Sequence, residues 1–287
     1  MLLVIDVGNT NTVLGVFRFP CDPQSSKAEA PGKPGSGVAG QESGSDQALA
    51  AHWRVSTIKA QTVDEYGVLF RNLFAMANLD ISDIKGIIIS SVVPPLDATL
   101  RQVCEQYFHS HPLFIEPGVK TGMPVKYENP AEVGADRIVN SVAAFEKYGG
   151  PCVVVDFGTA TTFDAVSAKG EYLGGLIAPG IGISADALFE RTSRLPRVEI
   201  RKPPRVIGTN TIGSMQAGMF YGYLGLVDGI LERMIVELGK NTKVVATGGL
   251  GELFGGSSAH ITAVDGLLTL EGLRIIWQRN QATRRRT

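Results

Sequence analysis

The chain repeats itself at about half its length. Val4-Ile5-Asp6-Val7-Gly8-Asn9-Thr10-Asn11-Thr12 aligns without gaps on Val154-Val155-Asp156-Phe157-Gly158-Thr159-Ala160-Thr161-Thr162, and Asp, Gly and the last Thr coincide at an offset of 150 in 287 residues. Each copy reads as a buried apolar strand, an acidic turn containing glycine, and a second strand. A repeat at this spacing constrains the fold more than any single motif, because both copies need the same local unit to house them. It predicts a duplicated domain with a cleft between the halves.

The segments between the copies alternate strand and helix. A strand is expected over 52–57, a helix over 64–77 with Val68, Leu69, Leu73 and Ala77 at helical spacing, and a β-branched strand over 84–93. A second helix over 96–108 and a short strand over 113–115 follow. The second half is expected to run through a helix to Tyr148, a strand at 152–156, a glycine-rich run from Gly174 to Gly182, a long helix at 212–238, a strand at 244–246 and a closing helix from Gly266. Such alternation implies α/β layers. The division expected is 1–118 and 119–287. Of the thirty residues 21–50, eighteen are Gly, Pro, Ser or Ala, too little apolar surface to offset the entropy of ordering, so a flexible insertion is expected there.

Composition removes several classes. With 27 Lys and Arg against 28 Asp and Glu the formal charge is −1, without the basic excess that nucleic acid binding demands. The run Arg284-Arg285-Arg286 reads as a solvated tail. Three scattered cysteines supply neither a disulfide framework nor a zinc site and fit a reducing compartment. The N-terminus, Met-Leu-Leu-Val-Ile before Asp6, has no positive region, and no apolar stretch approaches the ~20 residues that cross a bilayer. Neither membrane nor nucleic acid is an expected partner, and the expected location is cytoplasmic.

The repeated turn has chemistry suited to a nucleotide. An Asp ending a buried strand stands at the mouth of a sheet, where open α/β folds bind ligands. Gly8 lets the backbone come close, and Asn9, Thr10, Asn11 and Thr12 bring donors for phosphate oxygens. The carboxylate cannot bind phosphate but can hold the Mg²⁺ that neutralises it. Two such turns facing each other would clamp a polyphosphate. No P-loop is present. Gly35, Gly37 and Gly40 match a dinucleotide fingerprint only within the insertion, with no strand before them or helix after them. Gly248-Gly249-Leu250-Gly251 follows a strand and reads either as a bed for adenine or ribose or as a plain turn. His52, His109, His111 and His260 do not cluster. Asp136, ahead of an apolar helix, reads from position alone as a helix cap or a base. Arg137 reads as a surface ion pair or a partner for substrate charge.

Asp6-Val7-Gly8-Asn9-Thr10, Gly134-Ala135-Asp136-Arg137, Asp156-Phe157-Gly158-Thr159-Ala160-Thr161 and Gly248-Gly249 together resemble the type III pantothenate kinases, within the wider group of acetate and sugar kinases, Hsp70 and actin. The resemblance spans 1–20 and 51–280. It implies a duplicated, actin-like (ribonuclease H-like) two-domain α/β fold with a central cleft. It also implies ATP-dependent phosphorylation of pantothenate to 4′-phosphopantothenate, the first step towards coenzyme A. Carried onto these residues, it implies that Asp6, Val7, Gly8, Asn9, Thr10, Asn11, Thr12 and Val13, with Thr159, hold ATP and its Mg²⁺. Asp136 would be the base, and Tyr127, Gly134, Ala135, Asp136, Arg137 and Thr211 the pantothenate pocket. Asp156 would hold a monovalent cation, K⁺ or NH₄⁺, and a homodimer would complete the pocket. Two rivals stay open: a related kinase with another small substrate, and a non-catalytic nucleotide-binding regulator.

Overall fold

The computed structural model describes residues 1–19 and 48–284. Most of the expected insertion, with Gly35, Gly37 and Gly40, and Arg285 and Arg286 of the basic tail lie outside them. The strand expected over 52–57 begins earlier in the sequence. Strand β3 (Leu49–Ser56) begins at Leu49, opposite Phe17 of β2 (Asn11–Phe17).

β1 (Leu2–Val7) turns back into β2, β3 lines the far side of β2, and β4 (Gly86–Ser91) and β5 (Leu113–Phe114) add in parallel on the other side. The sheet order is β3-β2-β1-β4-β5. Its parallel crossovers run through α1 (Val63–Met76) and α2 (Pro94–Phe108), as parallel pairing requires a long connection. At the start of α1, Thr62 accepts from the Glu65 backbone while Glu65 accepts from the Thr62 backbone, a reciprocal cap.

The second half repeats that order as β8-β7-β6-β9-β10, built from β6 (Cys152–Phe157), β7 (Ala160–Val166), β8 (Tyr172–Pro179), β9 (Lys243–Gly248) and β10 (Ala263–Val264). α4 (Ile181–Glu190) and α5 (Thr211–Leu238) lie between β8 and β9, and α6 (Gly251–Gly255) follows β9. The glycine-rich run 174–182, to which the sequence assigned no element, is the greater part of β8 and the start of α4. The duplicated two-domain α/β fold is thus present in the strand order itself.

Period-two alternation sets the layers. Leu3, Ile5 and Val7 face outward onto α1 and α2, with Phe70, Phe74, Leu96 and Leu100. Val153, Val155 and Phe157 face outward onto α5 and α6, with Phe220, Val227 and Phe254. Leu2, Val4, Cys152 and Val154 face inward and share one core with α3 (Ala135–Tyr148) and α7 (Leu268–Arg284), which lie between the sheets. Continuing the alternation to the strand ends carries Asp6 and Asp156 onto the inner faces, toward each other.

Candidate active site

Both hairpins close around a glycine. The Gly8 amide donates to the Asn11 carbonyl at 3.0 Å, and the Gly158 amide to the Ala160 carbonyl at 3.1 Å. The gapless alignment fails at this point. Val7 pairs with Thr12 across a four-residue turn, but Phe157 pairs with Thr161 across three. The counterpart of Thr12 is therefore Thr161, one residue before the Thr162 that sequence alignment selects. Thr12 and Thr161 are both buried.

The tips of the two turns meet. Thr10 Oγ1 and Thr159 Oγ1 lie 2.7 Å apart, joining the halves over a hollow of about 210 Å³. Asp6, Asp136 and Asp156 line it together, as do Gly8, Asn9, Thr10, Asn11, Val13 and Thr159 and the Gly248-Gly249 turn. Val7 and Thr12 do not: Val7 packs against α1 and α2, and Thr12 bonds Thr57 at 2.9 Å. Thr57 in turn donates to the Gly8 carbonyl at 2.7 Å, and its amide reaches the Thr10 carbonyl at 2.9 Å. The first turn is therefore shaped by a residue just beyond β3.

Three carboxylates around one hollow perturb one another. Burial, then the charges of Asp136 and Asp156, push the Asp6 pKa up to about 8. Burial, then Asp136 and Asp164, push Asp156 up to about 7. Burial also raises Asp136, against the lowering effect of the Arg137 amide, which donates to its Oδ1 at 2.8 Å. Asp156 is held from behind: Asn140 donates to its Oδ2 at 3.0 Å, and Thr269 on α7 donates to Asn140 at 2.7 Å. Gly248, at φ +86°, stands beside its other oxygen, where a Cβ would sit 2.4 Å from Oδ1.

The cap of α3 is Gly134 rather than Asp136, which sits in the first turn where the helix dipole favours negative charge. A Cβ on Gly134 would lie 2.5 Å from Asp136 Oδ1, so glycine there leaves room for the carboxylate. Gly134 and Ala135 line a neighbouring cavity of about 640 Å³ with Val92, Met123, Val125 and Val133. Arg137 turns inward. Its Nε donates to Asp164 Oδ1 at 2.7 Å, Asp164 also accepts from Tyr172 at 2.8 Å, and Arg137 Nη2 is buried without a hydrogen-bond partner. Tyr127 stands beside Tyr172, ring centres 6.4 Å apart, and outside both cavities. Thr211, exposed at the start of α5, touches neither cavity.

Sequence reading passed over Arg54, Thr57, Asn140, Asp164 and Thr269. A carboxylate inside the apolar run Phe163-Asp164-Ala165-Val166 was a usable signal, because a buried charge needs a partner. The others act through strand register and helix packing, which single residues do not announce.

The sequence model of the family described as type III pantothenate kinase matches residues 40–233. The type III pantothenate kinase of Koribacter versatilis is 68% identical over 286 residues, covering 100% of this chain and 98% of that protein. That of Acidobacterium capsulatum is 52% identical over 287 residues with the same coverage. Among solved structures, a Campylobacter jejuni chain named for the Baf family of transcriptional activators superposes with a TM-score of 0.56 at 19% identity, covering 98% of this chain and 99% of that one. At that identity the likeness concerns the fold alone.

Proposed function

The chain belongs to the type III pantothenate kinase family, kinases that phosphorylate pantothenate in coenzyme A biosynthesis, and we propose that the hollow between its two acidic hairpins is where ATP meets that substrate. The observation that carries this reading is the convergence of Asp6, Asp136 and Asp156, from different parts of the chain, on one hollow under hydrogen-bonded hairpin tips.

The turn from Asn9 to Asn11 and Thr159 offer amides and hydroxyls to the phosphates, the Gly8 amide being taken by the Asn11 carbonyl, and Asp136 stands ready for the acceptor hydroxyl. Phosphoryl transfer asks mainly for positioning and charge neutralisation. As the hydroxyl oxygen bonds to the γ-phosphorus and ADP departs with the bridging oxygen, the hydroxyl proton passes to Asp136. Burial keeps Asp136 a stronger base than an exposed carboxylate, which suits that role. Arg137 lines neither cavity, but its buried Nη2 has no partner while Asp164 fixes Nε, and that spare donor would take the pantothenate carboxylate.

The donor set fits cations. Carboxylates that raise one another's pKa are relieved by positive charge, and hard oxygen donors suit Mg²⁺ and alkali ions. Asp6 would hold Mg²⁺, which would neutralise phosphate charge. Asp156, oriented by Asn140 and open beside Gly248, would hold K⁺ or NH₄⁺. A homodimer is the assembly this reading expects. Thr211 lies away from the hollow, beside Val206, Ile207 and Ile212, each more than half exposed, a surface a second copy would cover. The cytoplasm, which holds the ATP pool, is the location this chemistry suits; among the described residues no helix is long and apolar enough to cross a membrane.

A coupled ADP-release assay tests the reading. Release should require pantothenate, fail with sugars or acetate in its place, and rise when K⁺ is added. Release that proceeds equally without pantothenate overturns it.

A further inference from the structure

Three carboxylates and a polyanionic nucleotide would share the hollow, and the residues lining it include one cation, Arg54. We propose that Arg54 contacts the phosphate chain of the nucleotide and is a catalytic residue of the transfer. The proposal rests on the assignment of the hollow to ATP.

Strand register aims it there. Arg54 pairs with Val13, and Val13 with Asp6, so the three form one row across β3, β2 and β1. Residues paired across a sheet project from the same face, and Asp6 is on the inner one. The guanidinium reaches over to the other half, where Nη1 lies 3.2 Å from the point a Cβ on Gly249 would occupy. It therefore lies over the opening between the first-half hairpin and the Gly248-Gly249 turn. Its charge is felt below, acting to lower the pKa of both Asp6 and Asp156.

Arg54 makes no hydrogen bond or ion pair with another described residue, although carboxylates stand close enough to feel its charge. An arginine with a purely structural task would be tied to its neighbours. This one presents a free planar fork to the space assigned to phosphate, a group the fork matches with two parallel N–H donors. In the transfer Arg54 stays protonated. Its N–H groups donate to phosphate oxygens while the bond to the acceptor oxygen forms, the bridging bond breaks, and the proton goes to Asp136.

The test compares Arg54→Gln and Arg54→Lys with the parent protein. Arg54→Gln should lower kcat by ~10²–10³-fold, the effect of removing one preorganised donor, and leave KM for pantothenate within about threefold. Arg54→Lys, keeping the charge but losing the fork, should recover part of that loss. In calorimetry, Arg54→Gln should weaken a non-hydrolysable ATP analogue by about tenfold or more and leave adenosine binding unchanged. Arg54→Lys, which keeps the charge beside Asp6 and Asp156, should melt with the parent, so that its remaining loss in kcat is not a loss of fold. Parent-like kcat together with parent-like affinity for the analogue in Arg54→Gln overturns the proposal. Should the parent bind the analogue yet show no pantothenate-dependent turnover, the kinase assignment falls while the binding comparison still decides the role of Arg54. A parent that binds no analogue sinks both.

Discussion

In the first half of the molecule four residues, Gly8 to Asn11, connect the hairpin strands; in the second, three residues, Gly158 to Ala160, do the same. The strands on either side match residue for residue in which side chains are buried, β1 with β6 and β2 with β7. The single missing residue changes how the turn is held. Beyond β3, Thr57 fits its side chain under the longer turn and bonds Gly8 and Thr12. Beyond β8, Gly180 makes the same backbone contact to Thr159 at 3.0 Å, but the shorter turn lies so close that a Cβ would be 2.1 Å from the Thr159 carbonyl. The hydroxyl for Thr161 comes instead from Tyr223 on α5, at 3.1 Å. The first hairpin is tied within its own sheet and the second to a helix behind it. Duplication repeated the strands and left the turns to diverge, so the two carboxylates need not perform one task.

If the hairpins only hold the reactants, the largest loss should come from a residue belonging to neither. Asp136→Asn should cut turnover by ~10²–10⁴-fold while nucleotide still binds, measured by steady-state kinetics beside calorimetry. The carboxylates should then separate from each other. Asp6→Asn should lose about 100-fold in kcat/KM at fixed Mg²⁺, partly restored by raising the metal concentration. Asp156→Asn should keep a basal rate and lose its response to K⁺. Identical profiles for the two variants would erase the distinction between the hairpins.

The supports should differ as well. Gly180→Thr, grafting the first-half residue onto the second, forces a backbone shift and should cost ~3 kcal/mol in denaturant unfolding. Thr57→Val leaves the Gly8 carbonyl and the Thr12 hydroxyl without partners and should cost ~1–2 kcal/mol. A harmless Gly180→Thr would mean the second turn has the slack of the first.

The inner face shared by the two halves is legible in the sequence. The alternation Leu2, Val4, Asp6 and its copy Cys152, Val154, Asp156 set the inner face, and with it the shared hollow. Turn length was not visible, because Thr161 and Thr162 are both threonine and either completes the alignment. β8 was hidden by its glycines. Gly174 takes φ +120°, and a Cβ on Gly175 would sit 1.8 Å from the Phe163 carbonyl, so close strand packing demands glycines, which carry no strand signal. Arg54 had no signal of its own, because its direction follows from pairing two strands away with Asp6. Thr211, placed in the pocket by resemblance, stands apart from the hollow, on the exposed first turn of α5.

The finest difference between the hairpins is electrostatic, and its sign is fixed. In the ligand-free protein burial and neighbouring charge raise Asp6 from 3.8 to about 8 and Asp156 from 3.8 to about 7. A carboxylate whose folded pKa exceeds its unfolded one binds protons more readily when folded. Its stabilising contribution is complete below the unfolded value and is lost as pH rises through the folded value. Asparagine has no such loss. In nucleotide-free protein treated with chelator, Asp6→Asn should therefore gain melting temperature over the parent steadily as pH rises from about 5 and level off above about 8. Asp156→Asn should gain in the same direction, levelling off above about 7. Melting curves across that range decide it. A gain independent of pH in both variants would mean that the carboxylates are solvated in the free protein, and that the hollow does not hold them as close as its walls require.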